Sequence, residues 1–367
     1  MTNKFLKFLS LSALLVSTSV WFSSCDKDDD DNKQKTVSST KKVFILNEGS
    51  YMGNNSTLDV YYPNGESAYQ SKVYANTNLE VIGDTGQDIV YYGGRIYLSV
   101  FGSNYLAKLD LTGKVLEKYS FSESEGQPRY LAVKDGFVYV SLYSGQIAKF
   151  DTTSIATITT TVDIQGSHPE KIYINGDKLY AAIAGDYNVA YDNRIAVVDL
   201  TNFSFNQHIT IGEDPTYVLA NGNNIYAIHY NTTTWIQELI DFNISSKTSN
   251  VYENIAKINI SDNILYYIKS ETEYSSDYSS PTTNTSFYKS NIGDTVEQSE
   301  FLDLSNSSEL SSSIIYMFEI DPDNGDFYIG TTDYNTNGTI YRFDKNGKFI
   351  EKFETSGINP NKAIFVY

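Results

Sequence analysis

Short apolar segments with an aromatic residue at a fixed place recur along the chain. The aromatics follow one another at intervals of 40 to 62 residues. Seven dipeptides carry the signal: Val43-Phe44, Ile96-Tyr97, Val138-Tyr139, Leu179-Tyr180, Ile225-Tyr226, Leu265-Tyr266 and Phe327-Tyr328. A repeat of this length predicts one supersecondary unit copied along the chain.

The surroundings of each copy are also alike. A segment opened by Gly-x-x-Pro or a near variant comes before the aromatic, as at Gly212-Glu-Asp-Pro215. A third segment often ends in Asp at a turn, as at Ala107-Lys-Leu-Asp110, and a more polar fourth segment follows at 115–121. Four strands per repeat of roughly 40 to 50 residues are typical of a propeller blade. The sequence therefore predicts an all-β fold, a seven-bladed β-propeller with four-stranded blades.

The two ends of the repeat region complement each other. Residues 361–367 form an apolar segment with no nearby partner, and Lys42-Val-Phe-Ile-Leu46 is a strand with no predecessor. We predict that the C-terminal strand pairs with the N-terminal blade, which closes the ring and leaves no open sheet edge. Two β-sandwiches are the alternative, but they do not account for seven copies of one unit.

The longest interval, between Tyr266 and Tyr328, contains two Ser- and Thr-rich tracts at 271–285 and 305–313. Neither tract has the alternation of a strand. We predict two loop insertions in blade six rather than an eighth blade.

The first 24 residues are typical of an export signal. Lys4 and Lys7 precede an apolar run at 8–22, which is short for a membrane span. This region resembles a bacterial lipoprotein signal with Cys25, the only cysteine, as the acylated residue, although Phe22 stands where Leu is usual. An ordinary secretory signal with an incidental cysteine is the alternative. We predict a signal peptide at 1–24, an acidic flexible tether at 25–41 and the propeller at 42–367.

The residues after Cys25, Asp26-Lys-Asp-Asp-Asp-Asp31, suit a solvated tether. They also resemble the signal that sends lipoproteins to the outer surface of the outer membrane in a group of Gram-negative gut bacteria. The expected location is therefore the outer membrane, with a lipid anchor as the membrane contact and the domain facing the cell exterior.

Charge and composition narrow the function. The chain has 27 Lys and Arg against 45 Asp and Glu, a net charge of −18, which argues against nucleic-acid binding. His168, His208 and His229 are the only histidines, and none has zinc-ligand spacing. We find no phosphate loop and no nucleophile elbow, so no enzyme activity, metal or cofactor is predicted. Asp321-Pro-Asp-Asn-Gly-Asp326 is predicted to be a hairpin turn, because its Gly is one place early for a calcium loop and Thr332 replaces the bidentate Glu.

Binding is better supported. In a propeller, the loops between strands two and three emerge on the same face as the segments that enter strand one. All seven blades are predicted to send aromatics there. The predicted ligand-binding residues are Tyr51, Asn54, Phe101, Asn104, Tyr105, Arg129, Tyr130, Tyr143, His168, Glu170, Tyr187, Asn188, Tyr191, Tyr217, His229, Tyr230, Trp235, Asp333 and Tyr334, with Lys257, Tyr274 and Tyr278 on the same face. Rigid ring faces with amides between them suit a large, flat, amphipathic ligand. Packing in the core is the alternative for any single tyrosine, and it is the prediction for the strand-two tyrosines.

Two segments resemble a known family. Phe44-Ile-Leu-Asn-Glu-Gly49 and Asn54-Asn-Ser-Thr-Leu-Asp-Val60, together with the Gly-x-x-Pro repeats, resemble surface-lipoprotein propellers of the YncE and surface-layer type. Within that group, a tethered seven-bladed propeller is similar to the BtuG-type cobalamin-binding proteins. The resemblance implies capture of cobalamin or another corrinoid and its transfer to a TonB-dependent outer-membrane transporter.

Two other functions stay open. A glycan- or protein-binding module would use the same face. A hydrolase or lactonase would need a metal in the channel, for which the inner strands offer Asp88, Glu170 and Asn361 without a matching set.

Overall fold

The computed structural model describes residues 40–65, 69–273, 282–294 and 299–367. The predicted signal peptide, Cys25 and nearly all of the tether lie outside these residues. The strands are β1 (Lys42–Asn47), β2 (Thr57–Tyr61), β3 (Tyr69–Gln70), β4 (Gly86–Tyr92), β5 (Arg95–Val100), β6 (Tyr105–Leu109), β7 (Val115–Ser120), β8 (Pro128–Lys134), β9 (Phe137–Leu142), β10 (Gln146–Asp151), β11 (Thr160–Asp163), β12 (Pro169–Asn175), β13 (Lys178–Asp186), β14 (Ala190–Asp199), β15 (Ser204–Thr210), β16 (Pro215–Asn221), β17 (Asn224–Asn231), β18 (Ile236–Asn243), β19 (Thr248–Glu253), β20 (Ile255–Ser261), β21 (Ile264–Glu273), β22 (Thr282–Asn291), β23 (Ser299–Glu300), β24 (Ile314–Ile320), β25 (Phe327–Thr332), β26 (Thr339–Phe343), β27 (Phe349–Glu354) and β28 (Pro360–Val366). Two short helices join them, α1 (Val73–Asn78) and a 3-10 turn (Ser308–Ser312).

These strands form seven four-stranded antiparallel sheets. Blades two to seven each use four consecutive strands, β4–β7 through β24–β27, and blade one has the order β28-β1-β2-β3. The prediction of an all-β, seven-bladed propeller is confirmed. In the description below, the inner strand of each blade is its first strand: β28, β4, β8, β12, β16, β20 or β24.

The ring is closed by pairing between the two ends of the propeller. Strand β28 runs antiparallel to β1, with Ile364 opposite Phe44 and Ala363 opposite Ile45. The side chain of Phe365 is buried there, with its ring 5.2 Å from that of Tyr328 in blade seven. The predicted closure by the C-terminal strand is therefore confirmed.

The recurring aromatic is the residue that joins one blade to the next. Tyr97 of blade two is buried with Leu131, Val138 and Val140 of blade three. The same relation holds around the ring for Phe44, Tyr139, Tyr180, Tyr226, Tyr266 and Tyr328, each of which packs in a core cluster with residues of the following blade. The hydrophobic core thus lies between the blades, and the strand-two tyrosines are core residues as predicted.

The Gly-x-x-Pro motif marks a close approach of the chain to its next blade. A Cβ on Gly212 would lie 2.4 Å from the ring of His229 in β17. Beside it, the N–H of Tyr230 donates to the carbonyl of Asp214 at 3.3 Å, which places the incoming segment over the end of strand two. Glycine is required there because no side chain fits.

Three local features differ from the predictions or add to them. The described parts of the tract at 271–285, residues 271–273 and 282–285, are strand rather than loop, because they extend β21 and β22, with Glu273 opposite Thr282. The predicted face residues Tyr274 and Tyr278 lie outside the described residues. The tract at 305–313 holds the 3-10 turn and links blade six to blade seven, and α1 links β3 to β4. Residues 321–326 form a turn between β24 and β25, as predicted.

We expect Phe365→Ala to lower the free energy of unfolding by about 3–5 kcal/mol, because it opens a cavity in the seam that closes the ring. Leu116→Ala, which removes an exposed leucine from β7, is the matched control and should change it by less than about 0.5 kcal/mol. Urea unfolding of both variants measures the difference. Equal effects would show that the seam contributes no more than the surface.

Candidate functional site

In all seven blades, the pairing of the inner strand with strand two is irregular near the beginning of the inner strand. Each shows a shift in register against strand two close to its first residue, as between Pro169 and Ile172 in β12 and between Gly86 and Asp88 in β4. A bulge places two successive side chains on nearly the same side of a strand. Polar side chains such as Glu170 and Lys171 are therefore brought to the channel together.

Below the face, Lys171 and side chains of the other blades line a cavity of about 190 Å³, called the channel cavity here. Its walls are mainly polar and charged. The lining residues are Glu48, Gln87, Asp88, Tyr130, Lys171, Tyr217, Lys257, Ile258, Tyr316, Phe318, Glu319, Asn361 and Lys362.

One side of the channel mouth is organised around Arg129. Its guanidinium donates to Glu170 Oε2 from Nη2 at 2.6 Å and from Nε at 2.9 Å, and it also bonds to Gln87. The same group lies 4.9 Å from the ring centre of Phe101 and 5.1 Å from that of Tyr143. Burial opposes the charge of Arg129, but Glu170 and the neighbouring tyrosines outweigh it and raise the pKa of the guanidinium. The two rings are themselves 5.2 Å apart, so the guanidinium lies against a pair of packed rings.

Tyr143 extends this cluster to the next blade. Its hydroxyl donates to Glu170 Oε1 at 2.5 Å, and its ring lies 4.4 Å from that of His168. Burial, reinforced by Glu170, raises the pKa of the Tyr143 hydroxyl. The five side chains of Phe101, Arg129, Tyr143, His168 and Glu170 are called the mouth cluster below.

A second group lies across the channel, between blades six, seven and one. Tyr316 donates to Glu48 Oε2 at 2.6 Å, and its ring is edge-on to Tyr334 at 6.0 Å. Lys257 Nζ lies 5.4 Å from the centre of the Tyr316 ring. Burial raises the pKa of Glu48 and lowers that of Lys257. Both groups are therefore less readily charged than on the surface.

Deeper in the channel, some charged groups form a close ion pair and others do not. Lys362 Nζ is 2.8 Å from Glu319, whereas Lys171 Nζ is 4.0 Å from Asp88. The carboxylate of Asp88 instead accepts backbone N–H bonds from Ile89 and Leu131, both at 2.9 Å. Burial, with nearby Lys362, lowers the pKa of Lys171 to about 8 although Asp88 and Glu319 oppose the shift. Lys171 is the least compensated of these charges.

The outer part of the face carries exposed apolar side chains. Among the described residues, seven of the twelve large hydrophobics that are exposed lie at or beside the loops between strands two and three. Tyr187 is 77% exposed, Trp235 69% and Tyr51 66%. These seven residues are called the rim: Tyr51, Met52, Tyr187, Val189, Tyr191, Trp235 and Tyr334.

The structure brings together part of the predicted site. Phe101, Arg129, Tyr130, Tyr143, His168 and Glu170 meet at the mouth, and Tyr51, Tyr187, Tyr191, Trp235 and Tyr334 are on the rim. Asn54 and Asn188 are exposed in loops beside the rim. Tyr217 lines the channel cavity instead of the face, and Tyr230 is half-buried at the end of β17.

Other predicted residues are committed to local structure. Tyr105, predicted on the face, is buried in the core and donates to the carbonyl of Ile82 at 2.5 Å. His229, predicted on the same face, has its ring buried against Gly212, and its Nδ1 lies 2.9 Å from the carbonyl of Glu213. Asn104 Nδ2 donates to the carbonyl of Phe121 at 2.9 Å. Asp333 Oδ1 accepts from the backbone N–H groups of its own turn.

Sequence reasoning missed several channel residues. Glu48, Lys171, Tyr316, Glu319 and Lys362 were not predicted as site residues although all line the channel cavity. One sequence signal could have identified some of them. In the repeats that open with Gly-x-x-Pro or its near variant, the second residue after the proline faces the channel. That position holds Tyr130, Lys171, Tyr217 and Lys362.

Neither a metal centre nor a spanning helix is found in the part of the chain that the structure describes. Within it, no group of three or more His, Cys, Asp or Glu side chains is arranged to hold a metal ion. No helix of that part is long and apolar enough to cross a membrane.

The fold and the channel define this protein as a seven-bladed β-propeller with a polar, charged channel. It belongs to the family described as a domain of unknown function, DUF5074, whose sequence profile matches residues 41–366. No curated protein matches the chain.

Solved structures share the architecture at low sequence identity. A hypothetical selenium-binding protein from Sulfolobus tokodaii is similar over 89% of this chain and 93% of its own, with a TM-score of 0.61 and 12% identity. Hydrazine synthase from Kuenenia stuttgartiensis covers 71% of this chain and 77% of its own, with a TM-score of 0.56 and 17% identity. The Dos1 propeller is similar over 87% of this chain and 83% of its own, with a TM-score of 0.51 and 15% identity. At these identities the similarity establishes the fold alone.

We expect Lys171→Met to raise the free energy of unfolding at pH 7, on the order of 2–3 kcal/mol, because it removes a desolvated ammonium. The pKa of Lys171 is lower in the folded protein than in the unfolded chain. As the pH falls from about 10 to about 8, the unfolded chain therefore binds a proton that the folded protein does not, and wild-type stability falls. The gain from Lys171→Met should accordingly shrink as the pH rises through this window.

The groups that face Lys171 are Asp88, Glu319, Lys362, Tyr130 and Tyr217. All of them remain in the variant. Lys348→Met removes an exposed lysine and controls for net charge. Urea unfolding at pH 7, 8, 9 and 10 measures the effect, and a constant difference between wild type and Lys171→Met would contradict it.

Proposed function

We propose that this protein is a non-enzymatic surface lipoprotein that captures a large, flat, amphipathic small molecule on the rim of its propeller. The observation that carries the proposal is the concentration of exposed aromatic side chains on one face. A corrinoid such as cobalamin is the ligand that the sequence resemblance favours.

The rim has the chemistry of a binding surface. Exposed Tyr and Trp side chains lose little conformational freedom on contact and offer large faces for stacking. Contiguous exposed apolar groups on a soluble domain mark interaction sites. The exposed amides of Asn54 and Asn188 lie in the same loops and can bond to the polar edge of a ligand.

The mouth cluster supports binding more than catalysis. Both oxygens of Glu170 are engaged, one by Arg129 and the other by Tyr143. The carboxylate is therefore committed to the cluster, with neither oxygen left free for a substrate. The cluster therefore supplies a rigid, preorganised floor beneath the rim.

Location and partner follow from the N-terminal sequence. Acylation of Cys25 would anchor the chain to the outer membrane, and the acidic segment after it would act as a flexible tether. A propeller held on such a tether stays close to a TonB-dependent transporter in the same membrane, which raises the effective concentration for ligand transfer.

A second candidate function is recognition of a protein or glycan by the same face. It is favoured by Met52 and Val189, which add exposed aliphatic surface between the aromatic residues. Such a mixture also suits a macromolecular partner.

We expect the full chain, purified in mild detergent, to bind cyanocobalamin with one-to-one stoichiometry and submicromolar affinity in a calorimetric titration. The triple variant Tyr187→Ala, Tyr191→Ala, Trp235→Ala should bind about a hundredfold more weakly or worse, because three aromatic stacking faces are lost.

The double variant Leu116→Ala, Val251→Ala is the control, since it removes exposed apolar side chains from outer strands. Absence of heat with wild-type protein would reject the corrinoid and direct the search to glycans and proteins. Unchanged affinity in the triple variant would place the site away from the rim.

A further inference from the structure

The channel cavity contains two ammonium groups that have no hydrogen-bond acceptor. Among the described residues, neither Lys171 Nζ nor Lys257 Nζ donates a hydrogen bond to a carboxylate or a carbonyl; Lys171 Nζ lies beside the ammonium of Lys362, and its closest carboxylate is Asp88, at 4.0 Å. The side chain of Lys171 is more than nine-tenths buried. A buried ammonium without an acceptor is costly, so it marks a place where a ligand can supply one.

The neighbouring acids are occupied elsewhere. Asp88 accepts two backbone N–H bonds, Glu319 is paired with Lys362 at 2.8 Å, and Glu48 accepts the hydroxyl of Tyr316. Glu48 and Glu319 attract Lys257 electrostatically but form no ion pair with it. Lys171 and Lys257 are thus the ammonium groups of the channel cavity that form no close hydrogen bond with these carboxylates.

Aromatic faces hold these ammonium groups in place. Lys171 Nζ is 5.2 Å from the ring centre of Tyr130 and 5.5 Å from that of Tyr217. Lys257 Nζ has the same relation to Tyr316 at 5.4 Å. Cation–π contacts of this kind orient an ammonium without using its N–H donors. The donors therefore stay available to the cavity.

The cavity also limits the size and character of its occupant. Its volume of about 190 Å³ is below the range of pockets for drug-sized ligands, so only a small molecule fits. Ile258 and Phe318 provide an apolar part of the wall. A ligand matched to these walls has an anionic head and a short apolar body.

We propose that the channel cavity binds a small organic anion, with a carboxylate or phosphate group that accepts hydrogen bonds from Lys171 and Lys257. This site lies below the face and uses no residue of the rim. It is therefore a second site, and its occupation does not require the large ligand proposed above.

The test uses three probes on the full chain in mild detergent with chloride as the only other anion: sodium acetate, sodium benzoate and inorganic phosphate. Thermal unfolding and calorimetric titration at pH 7 measure binding. We expect at least one probe to bind with one-to-one stoichiometry at millimolar concentration or below. Preference for benzoate or acetate would identify a carboxylate ligand, and preference for phosphate would identify a phosphorylated one.

The variants Lys171→Met and Lys257→Met should each weaken that binding at least tenfold. Each should still fold, since each removes a desolvated charge. Lys348→Met, with the same change in net charge, and the rim triple variant should bind the probe as wild type does. Loss of binding in the rim variant would place the anion on the face and overturn the proposal.

Failure of all three probes would also overturn it, because a site built on two ammonium groups accepts the isolated head group at these concentrations. Equal binding by wild type, Lys171→Met and Lys257→Met would do the same. The cyanocobalamin titration measures binding at the rim independently of the channel cavity. Failure of one proposed site is therefore distinguishable from failure of the other.

Discussion

The propeller depends on one packing contact repeated around the ring, in which a strand-two aromatic of each blade fills the space against the next blade. Tyr97, Tyr139 and Tyr226 all have this position and are nearly inaccessible to solvent. Burial of a large ring is among the strongest single contributions a side chain makes to a core. Because every blade both supplies and receives such a ring, the first and last blades are packed on both sides only when the ring is complete, and Tyr328 completes it by packing with Val43 and Ile45 of blade one.

This arrangement leaves the centre of the ring for polar groups. The apolar core lies between blades, so the inner strands can expose charged side chains to the channel without weakening the core. The bulge at the start of each inner strand increases that effect, since two successive side chains face inward. Glu170 of the mouth cluster and Lys171 of the channel cavity thus face inward together because of a local irregularity that recurs in all seven inner strands.

The repeat made the architecture predictable, because its signals are local in sequence. The aromatic dipeptides, the Gly-x-x-Pro openings and the unpaired terminal strand together predicted the blade number and the closure. The site was predicted less well. Tyr105 begins β6 and His229 lies two residues before the end of β17, and only the tertiary fold shows that one bonds to Ile82 and the other packs against Gly212.

The channel residues were missed for a different reason. Strict alternation along a strand assigns Glu170 and Lys171 to opposite sides, whereas the bulge brings both to the channel side. Pairing also depends on residues far apart in sequence: the hydroxyl of Tyr316 reaches Glu48 from blade seven to blade one. No pattern within one repeat contains that information.

Closure between β1 and β28 also governs when the protein can become folded. The partner of Ile45 is Ala363, so this contact joins the first strand of the propeller to the last in chain order. Every other blade is made from consecutive strands and can form as the chain emerges. Blade one instead keeps an unpaired edge throughout that time, and the ring gains its cooperativity in a single late step.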